Sequence, residues 1–181
     1  YTHSVNVSVL GLLFAKYLGF DGGEMKSFGT GLLLHDVGKT QIDPDIINKK
    51  ERLNDESFTR IKMHVELGAA MLKQTGCIDS TSIFPLMQHH EKYNGKGYPN
   101  GLRGDAIHKY GKMACIIDVY DALTTKRAYA DARKPFLALK LMNDEMAGSF
   151  DEKYLKDFIL FLGAGREKLY QKSKKIFPMS V

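Results

Sequence analysis

Apolar residues recur at helical spacing along nearly the whole of this 181-residue chain. In the first segment Val5, Val9, Leu12 and Leu13 lie one to four positions apart, and the pattern ends at Gly19. This spacing places apolar side chains on one face of a helix. No segment shows the apolar–polar alternation of a half-buried strand, so the pattern predicts an all-α fold.

Capping and turn residues divide the remaining pattern into further helices. Asp55 suits a helix N-cap, and Gly76 suits the end of the same helix. The glycine-rich segment 93–104, which also contains Pro99, predicts a loop. We predict helices over residues 24–37, 45–48, 55–74, 82–91, 109–125, 135–146, 151–162 and 164–174.

The composition indicates one soluble domain that spans residues 1–181. Hydrophobic residues make up 44% of the chain and charged residues 26%, which is ordinary for a globular protein. No apolar run is long enough to cross a bilayer, and no secretory signal is visible. The two cysteines form no ligand motif, so we expect a cytoplasmic location. Because the chain begins at Tyr1 without a Met, we expect a fragment of a longer protein with an upstream region.

The net charge of +5 suits an anionic substrate. Four lysines near the C-terminus supply part of this excess, and a solvated helix face explains them best. Aromatic residues that would stack on nucleic-acid bases are scarce among them, so we expect no DNA or RNA partner.

Residues that commonly bind metals occur as two adjacent pairs, although the chain has only 6 histidines. His35–Asp36 lies in HDVGK and His89–His90 opens HHEKYNGKGYP. Such pairs at two separate places indicate a site that holds more than one metal ion. The further candidates are His3, His64 and Asp118.

Five imidazoles and two carboxylates suit iron, manganese or zinc better than magnesium or calcium. Asp36 or Asp118 could bridge two ions, which can then clamp a phosphate for in-line attack. Each residue has a plainer interpretation: a lone mid-helix histidine such as His64 is usually structural, and either aspartate could be a cap. His108 belongs to no pair, and we expect it at the surface.

Four segments resemble, in order and spacing, the HD-GYP family, a subgroup of the HD superfamily of metal-dependent phosphohydrolases. They are HDVGK (35–39), His64, HHEKYNGKGYP (89–99) and DVYDALTTKRAY (118–129). The resemblance covers roughly residues 1–150, and the HHE…GxGYP element is its most specific part. It implies a helical bundle of the HD-domain type with an interior centre of two or three metal ions, often iron. The implied activity is hydrolysis of cyclic di-GMP to the linear dinucleotide or to GMP.

The resemblance also assigns roles to individual residues. Asp36 matches a bridging carboxylate, and Lys39 matches a lysine that reaches the scissile phosphate or its attacking water. Arg127 matches a phosphate-binding arginine, and the loop that contains Tyr98 would shape the substrate pocket. The implied metal ligands are His3, His35, Asp36, His64, His89, His90 and Asp118.

The chain departs from the family pattern in four ways. Family members with three metal ions carry a glutamate four residues before the position of His3. In this chain that position would precede Tyr1. Asn94 replaces the usual aspartate of the GYP element, and Ala130 replaces a common basic residue. Lys96 and Arg103 add positive charge near the loop. The last three departures concern substrate affinity more than metal binding.

The leading hypothesis is therefore a phosphodiesterase for cyclic di-GMP or a related cyclic dinucleotide. One alternative is a metal-containing module that binds a nucleotide or a protein with little turnover, and Asn94 and Ala130 motivate it. The other is an HD-superfamily phosphohydrolase for a different phosphate ester. Partners to expect are an upstream regulatory domain, a protein such as a diguanylate cyclase, or a second copy in a dimer.

Overall fold

The computed structural model describes residues 2–47, 49, 51, 54–76, 78–126 and 131–176, with side chains described as far as 164. Within these ranges the chain forms nine α-helices, two short 3-10 helices and no strand, so the all-α prediction is confirmed. No described helix has both the length and the apolar character needed to cross a membrane. The helices are α1 (Thr2–Tyr17), α2 (Gly22–Leu34), α3 (Pro44–Ile47), α4 (Asp55–Lys62), α5 (His64–Thr75), α6 (Ile83–Gln88), α7 (Lys109–Thr124), α8 (Pro135–Asp144) and α9 (Glu152–Ile176).

Helix α7 lies at the centre of the bundle, where it packs against α1, α6, α8 and α9. It is buried almost all round, which explains the nearly continuous apolar run that precedes Asp118. Aromatic rings close the core at one end, with Phe158 edge-on to both Phe14 and Tyr120. Because neighbours surround α7, its two aspartates, Asp118 and Asp121, are carried into the interior.

The two ligand pairs follow helix ends, which corrects the predicted boundaries. Helix α2 ends at Leu34 rather than at 37, and α6 ends at Gln88 rather than at 91. His35 and His89 are therefore C-cap residues, and Asp36 leads into a 3-10 helix over Val37–Gln41. Where the helix stops, adjacent side chains no longer have to diverge by the ~100° of a regular helix. Both members of each pair can then point into one site.

Close backbone packing explains why the HDVGK motif has a glycine at residue 38. A β-carbon at this position would overlap the carbonyl oxygen of His64 and the backbone nitrogen of Gly68. The 3-10 helix can therefore lie directly on the backbone of α5 only if residue 38 has no side chain. This close approach places His64 beside the His35–Asp36 pair.

Other predicted boundaries also change. The helix predicted over 55–74 divides at Met63 into α4 and α5, and the N-cap is Asn54 rather than Asp55, since Asn54 accepts from the Ser57 N–H at 2.9 Å. At the division, the His64 ring donates to the Ile61 carbonyl at 2.7 Å. The Met63 N–H donates to the carbonyl of Arg60, three residues earlier, at 3.2 Å. Conversely, the two helices predicted over 151–174 form the single helix α9.

Candidate metal centre

Seven side chains converge in the interior although they come from five separate parts of the chain. The ligand atoms fall into two groups, and within each group they all lie within 4.8 Å of one another. The first group contains His3 from α1, His35 from the end of α2 and Asp118 from α7. The second group contains Asp36, His64 at the start of α5, and His89 and His90 after α6.

The carboxylate of Asp36 lies between the two groups. Its Oδ2 is 3.5 Å from His35 Nε2 and 3.9 Å from His3 Nε2. Its Oδ1 is 3.4 Å from His64 Nε2 and 3.8 Å from His89 Nε2. One oxygen thus faces each group, which is the geometry that a carboxylate needs to contact two ions. Asp118, by contrast, belongs to the first group, with Oδ1 2.9 Å from His3 Nε2.

Backbone carbonyls orient three of the imidazole rings. The Nδ1–H of His35 donates to Leu32 O at 2.6 Å, that of His64 to Ile61 O at 2.7 Å, and that of His89 to Leu86 O at 2.9 Å. A proton held on Nδ1 leaves a lone pair on Nε2. Because each acceptor lies three residues before its histidine, the local helix geometry fixes the direction in which each Nε2 points.

Burial keeps the histidines of the second group neutral. Desolvation lowers the pKa of His64, lowers that of His90 to about 4, and lowers that of His89 well below its usual value. Burial opposes ionisation of Asp36, but its positively charged surroundings, in which the Lys39 ammonium donates to Oδ2 at 2.6 Å, hold its pKa well below the usual range. Neutral imidazoles and an ionised carboxylate are the forms that bind metal ions.

Two buried atoms lack a hydrogen-bond partner among the described residues: His35 Nε2 and Asp36 Oδ1. Leaving a buried polar atom unsatisfied costs about 1–3 kcal/mol. Both atoms belong to the ligand groups, and Asp36 Oδ1 faces the second group. A metal ion in each group would satisfy them, so the residues present fit a two-metal centre.

Asp121 is a member of the site that the sequence analysis missed. Its Oδ2 lies 2.6 Å from His3 Nδ1, on the side of the ring opposite Asp118. Burial opposes protonation of His3, but its hydrogen bonds to Asp118 and Asp121 raise its pKa to about 9. The signal in the sequence was the DVYD spacing, because residues three apart share a helix face.

Lys39 and Tyr98, both predicted to meet the substrate, lie beside the second group. The Lys39 ammonium donates to Asp36 Oδ2 at 2.6 Å, and its side chain is 35% exposed. The Tyr98 ring stacks on the His90 ring with centroids 4.5 Å apart. The backbone N–H of Tyr98 donates to the backbone carbonyl of His90 at 3.2 Å. Lys39 is therefore a partly exposed cation in contact with Asp36, and Tyr98 packs against a candidate ligand.

Buried Glu91 holds the glycine-rich loop that follows the second pair. Its two carboxylate oxygens accept from the N–H groups of Asn100 at 2.8 Å and Leu102 at 2.9 Å. Gly97 lies so close to the Glu91 backbone that a β-carbon there would overlap it. Asn94 accepts from the Lys96 N–H at 3.0 Å, a turn hydrogen bond that an aspartate would make equally well.

The other residues singled out in the sequence lie outside the ligand groups or outside the described residues. Arg127 and Ala130 lie outside the described residues. Lys96 and Arg103 are exposed. His108, expected at the surface, is instead half-buried: its ring stacks on Phe84 with centroids 4.0 Å apart, and its Nδ1 accepts from the Tyr110 N–H to cap α7. The sequence could not reveal this packing because residue 84 lies on another helix.

A helical bundle with histidine and aspartate side chains converging from facing helices defines a metal-site domain. Residues 6–154 match the model of the HD domain family, and the chain belongs to this family, in its HD-GYP group. The family is one of divalent-metal proteins, and the His/Asp cluster described above is suited to such ions.

Three relatives illustrate the likeness. A cyclic di-GMP phosphodiesterase from Pseudomonas aeruginosa is 32% identical over 163 residues, which cover 90% of this chain and 39% of that protein. The 3′3′-cGAMP-specific phosphodiesterase 2 of Vibrio cholerae is 41% identical over 106 residues, covering 54% of this chain and 19% of that protein. The solved structure of an HDG"Y"P protein from Bdellovibrio bacteriovorus superimposes with a TM-score of 0.73 at 25% identity, covering 89% of this chain and 51% of that one.

Proposed function

We propose that the chain is a metal-dependent phosphodiesterase that hydrolyses cyclic di-GMP, or a related cyclic dinucleotide, to the linear dinucleotide or to GMP. The observation that carries the proposal is the Asp36 carboxylate, which faces both ligand groups and also holds the Lys39 ammonium. The relatives named as phosphodiesterases for cyclic dinucleotides support this substrate class.

Seven residues of the chain would hold two metal ions. Asp36 would be shared between two ions, preferably iron, with manganese or zinc as alternatives for this donor set. When bound, two divalent ions supply Lewis acidity toward a phosphate ester and acidify a water molecule at neutral pH. The other proposed ligands are His3, His35 and Asp118 for one ion, and His64, His89 and His90 for the other.

Three further side chains would act on the substrate. Lys39 would offset the negative charge that develops on the phosphoryl oxygens. Arg127 would bind a phosphate through its planar guanidinium. Tyr98 would form part of the pocket wall beside His90, on which its ring stacks.

The second candidate is a weakly active binding module. It was suggested by two departures from the family pattern, of which Asn94 is one. The turn hydrogen bond from the Lys96 N–H to Asn94 gives this residue a structural role that needs no charge. Asn94 therefore no longer argues for the binding module. The chain spans about two fifths of the length of the Pseudomonas aeruginosa relative. We also propose that a regulatory domain upstream, a protein partner or a second copy of the chain acts together with this domain.

Metal analysis and turnover on one sample test the proposed function. Protein purified without added metal is analysed for bound ions and then assayed with cyclic di-GMP, 3′3′-cGAMP and cyclic di-AMP. We expect two ions per chain and a linear product from at least one of these substrates. Full hydrolysis by a metal-free sample would overturn the metal-dependent mechanism. A sample with two ions that binds cyclic di-GMP without product would favour the binding module.

Replacing Asp121 with Asn should weaken one metal site selectively. The amide keeps the shape of the side chain but removes the charge that holds the His3 ring, and loss of such an outer partner costs about 10–100-fold in metal affinity. Titration with Mn²⁺ should show one weakened site and one unchanged site. The matched control is Asp144→Asn, because among the described residues Asp144 pairs with its surface neighbours on α8, Lys140 and Asn143. Unchanged affinity at both sites in Asp121→Asn would refute the role of Asp121.

A further inference from the structure

Helix α4 presents an exposed aromatic ring close to the metal centre. No residue of α4 is buried, and Phe58 is 45% exposed. A single exposed apolar residue is common and needs no explanation by itself. The neighbours of Phe58 are what set it apart: the Tyr98 ring is edge-on at 6.5 Å between centroids, and Lys62 Nζ lies 4.5 Å from the Phe58 centroid.

The ring of Tyr98 connects Phe58 to the second ligand group. The Tyr98 ring stacks on His90 and also meets the Phe58 ring edge-on. Phe58 is therefore two ring-to-ring steps from a proposed metal ligand. A nucleotide joins its phosphate to its base through one sugar, so a base at Phe58 and a phosphate at the metal centre can belong to one ligand only because the two places are this close.

Lys62 adds a cation to the same surface. Its ammonium lies 5.3 Å from the Tyr98 centroid as well as close to Phe58. Within the part of the chain that the structure describes, no carboxylate lies within ion-pair distance of Lys62. Its charge is therefore not neutralised by a described partner and is available to a ligand.

An aromatic ring and an ammonium that no described carboxylate neutralises together match the chemistry of guanine. Aromatic side chains bind nucleobases by stacking, which contributes about 1–3 kcal/mol per base. A lysine ammonium is a donor for the O6 and N7 acceptors of guanine, whereas adenine carries an N6 donor in place of O6. The combination therefore favours guanine over adenine.

We propose that Phe58 and Lys62 form a guanine subsite for the substrate of the metal centre. Phe58 stacks on one base through the ring face that Lys62 does not cover, and the Lys62 side chain turns from the Phe58 ring to the O6 and N7 edge of that base. The inference rests on the proposed function and extends it, since it assigns the preference for guanine-containing cyclic dinucleotides to two named residues of α4.

A purely structural role for Phe58, as the anchor of α4 on the glycine-rich loop, makes a different prediction. Leucine at residue 58 would keep the apolar contact with Tyr98 but would lose the aromatic face. If Phe58 acts by stacking, Phe58→Leu should keep folding and metal content but weaken binding of the ligand. If Phe58 only anchors α4, Phe58→Leu should leave KM and Kd unchanged. Its matched control is Phe136→Leu, which changes an exposed phenylalanine of α8 that is 69% exposed.

The test measures KM and kcat for cyclic di-GMP and cyclic di-AMP, together with the Kd of a slowly hydrolysed phosphorothioate analogue of cyclic di-GMP. All samples are metal-loaded and checked for metal content and thermal stability. Phe58→Leu should raise KM and Kd for cyclic di-GMP by about 10-fold with little change in kcat. Lys62→Met should lower the preference for cyclic di-GMP over cyclic di-AMP by about 10-fold. The control Lys73→Met, at an exposed position of α5, should keep that preference.

The outcomes separate this inference from the proposed function. Wild-type hydrolysis with unchanged KM and Kd in Phe58→Leu would overturn the subsite and leave the proposed function intact. Weakened analogue binding in Phe58→Leu without any wild-type turnover would overturn the proposed function and support the subsite. A wild-type protein that neither binds nor hydrolyses cyclic dinucleotides would overturn both.

Discussion

Asp36→Ala is expected to remove both metal ions and to abolish hydrolysis of cyclic dinucleotides. Its two carboxylate oxygens face different ligand groups, so its loss affects both sites at once. Removal of an outer partner alone costs about 10–100-fold in metal affinity, so removal of a shared ligand should cost more than about 100-fold. Metal analysis and product detection by chromatography measure the two losses.

The control for this prediction is Asp144→Ala, which removes a surface carboxylate paired with Lys140. It should keep two ions and wild-type turnover, since exposed ion pairs contribute only about 0–1 kcal/mol. His35→Ala should also lose metal and turnover, because Nε2 of His35 lies 3.5 Å from Asp36 Oδ2 and 3.8 Å from Asp118 Oδ1. Retention of two ions per chain by Asp36→Ala would contradict the shared role of Asp36.

Lys39→Ala should separate catalysis from metal binding. Lys39 is no metal ligand, since an ammonium has no lone pair, yet it donates to the Asp36 carboxylate at 2.6 Å. We expect the variant to keep both ions while kcat falls by about 10²–10³-fold, the usual cost of removing one group that stabilises transition-state charge. The measurement is kcat at saturating substrate, with metal content determined on the same sample.

Lys26→Ala is the control for Lys39→Ala, because Lys26 is an exposed lysine on the outer side of α2. Its activity should match that of the wild type. If Lys39→Ala lost its ions, Lys39 would be needed for assembly of the centre rather than for the reaction. If the variant kept full kcat, another cation would have to serve the phosphate, and Arg127 would be the next residue to replace.

The helical character of the chain was predictable because it depends on local spacing. Val5, Val9 and Leu12 do lie on helix α1. The buried face of α1 was not predictable, because Val5 is 50% and Val9 54% exposed while Val7 and Phe14 are buried. Helix boundaries were less predictable where a side chain competes for backbone groups. The division at Met63 depends on the bond between the His64 ring and the Ile61 carbonyl, which no propensity scale includes.

The candidate ligands were also visible in the sequence, because their types and adjacent pairing are chemical properties of the residues themselves. The structure brings all seven of these side chains together. Their division into two groups was not visible, since His3 and Asp118 are 115 residues apart and meet only when α1 packs on α7. The position of Asp36 between the two groups depended on the same packing.

The sequence by itself determined the all-α class, the residues able to bind metal and the family to which they point, because these follow from periodicity, side-chain chemistry and motif spacing. Only the tertiary structure decided that Asp36 faces both groups, that Asp121 holds the His3 ring, and that Phe58 lies beside Tyr98. These features are contacts between residues distant along the chain. Distances of a few ångströms between such residues are set by how the helices pack, which local patterns do not encode.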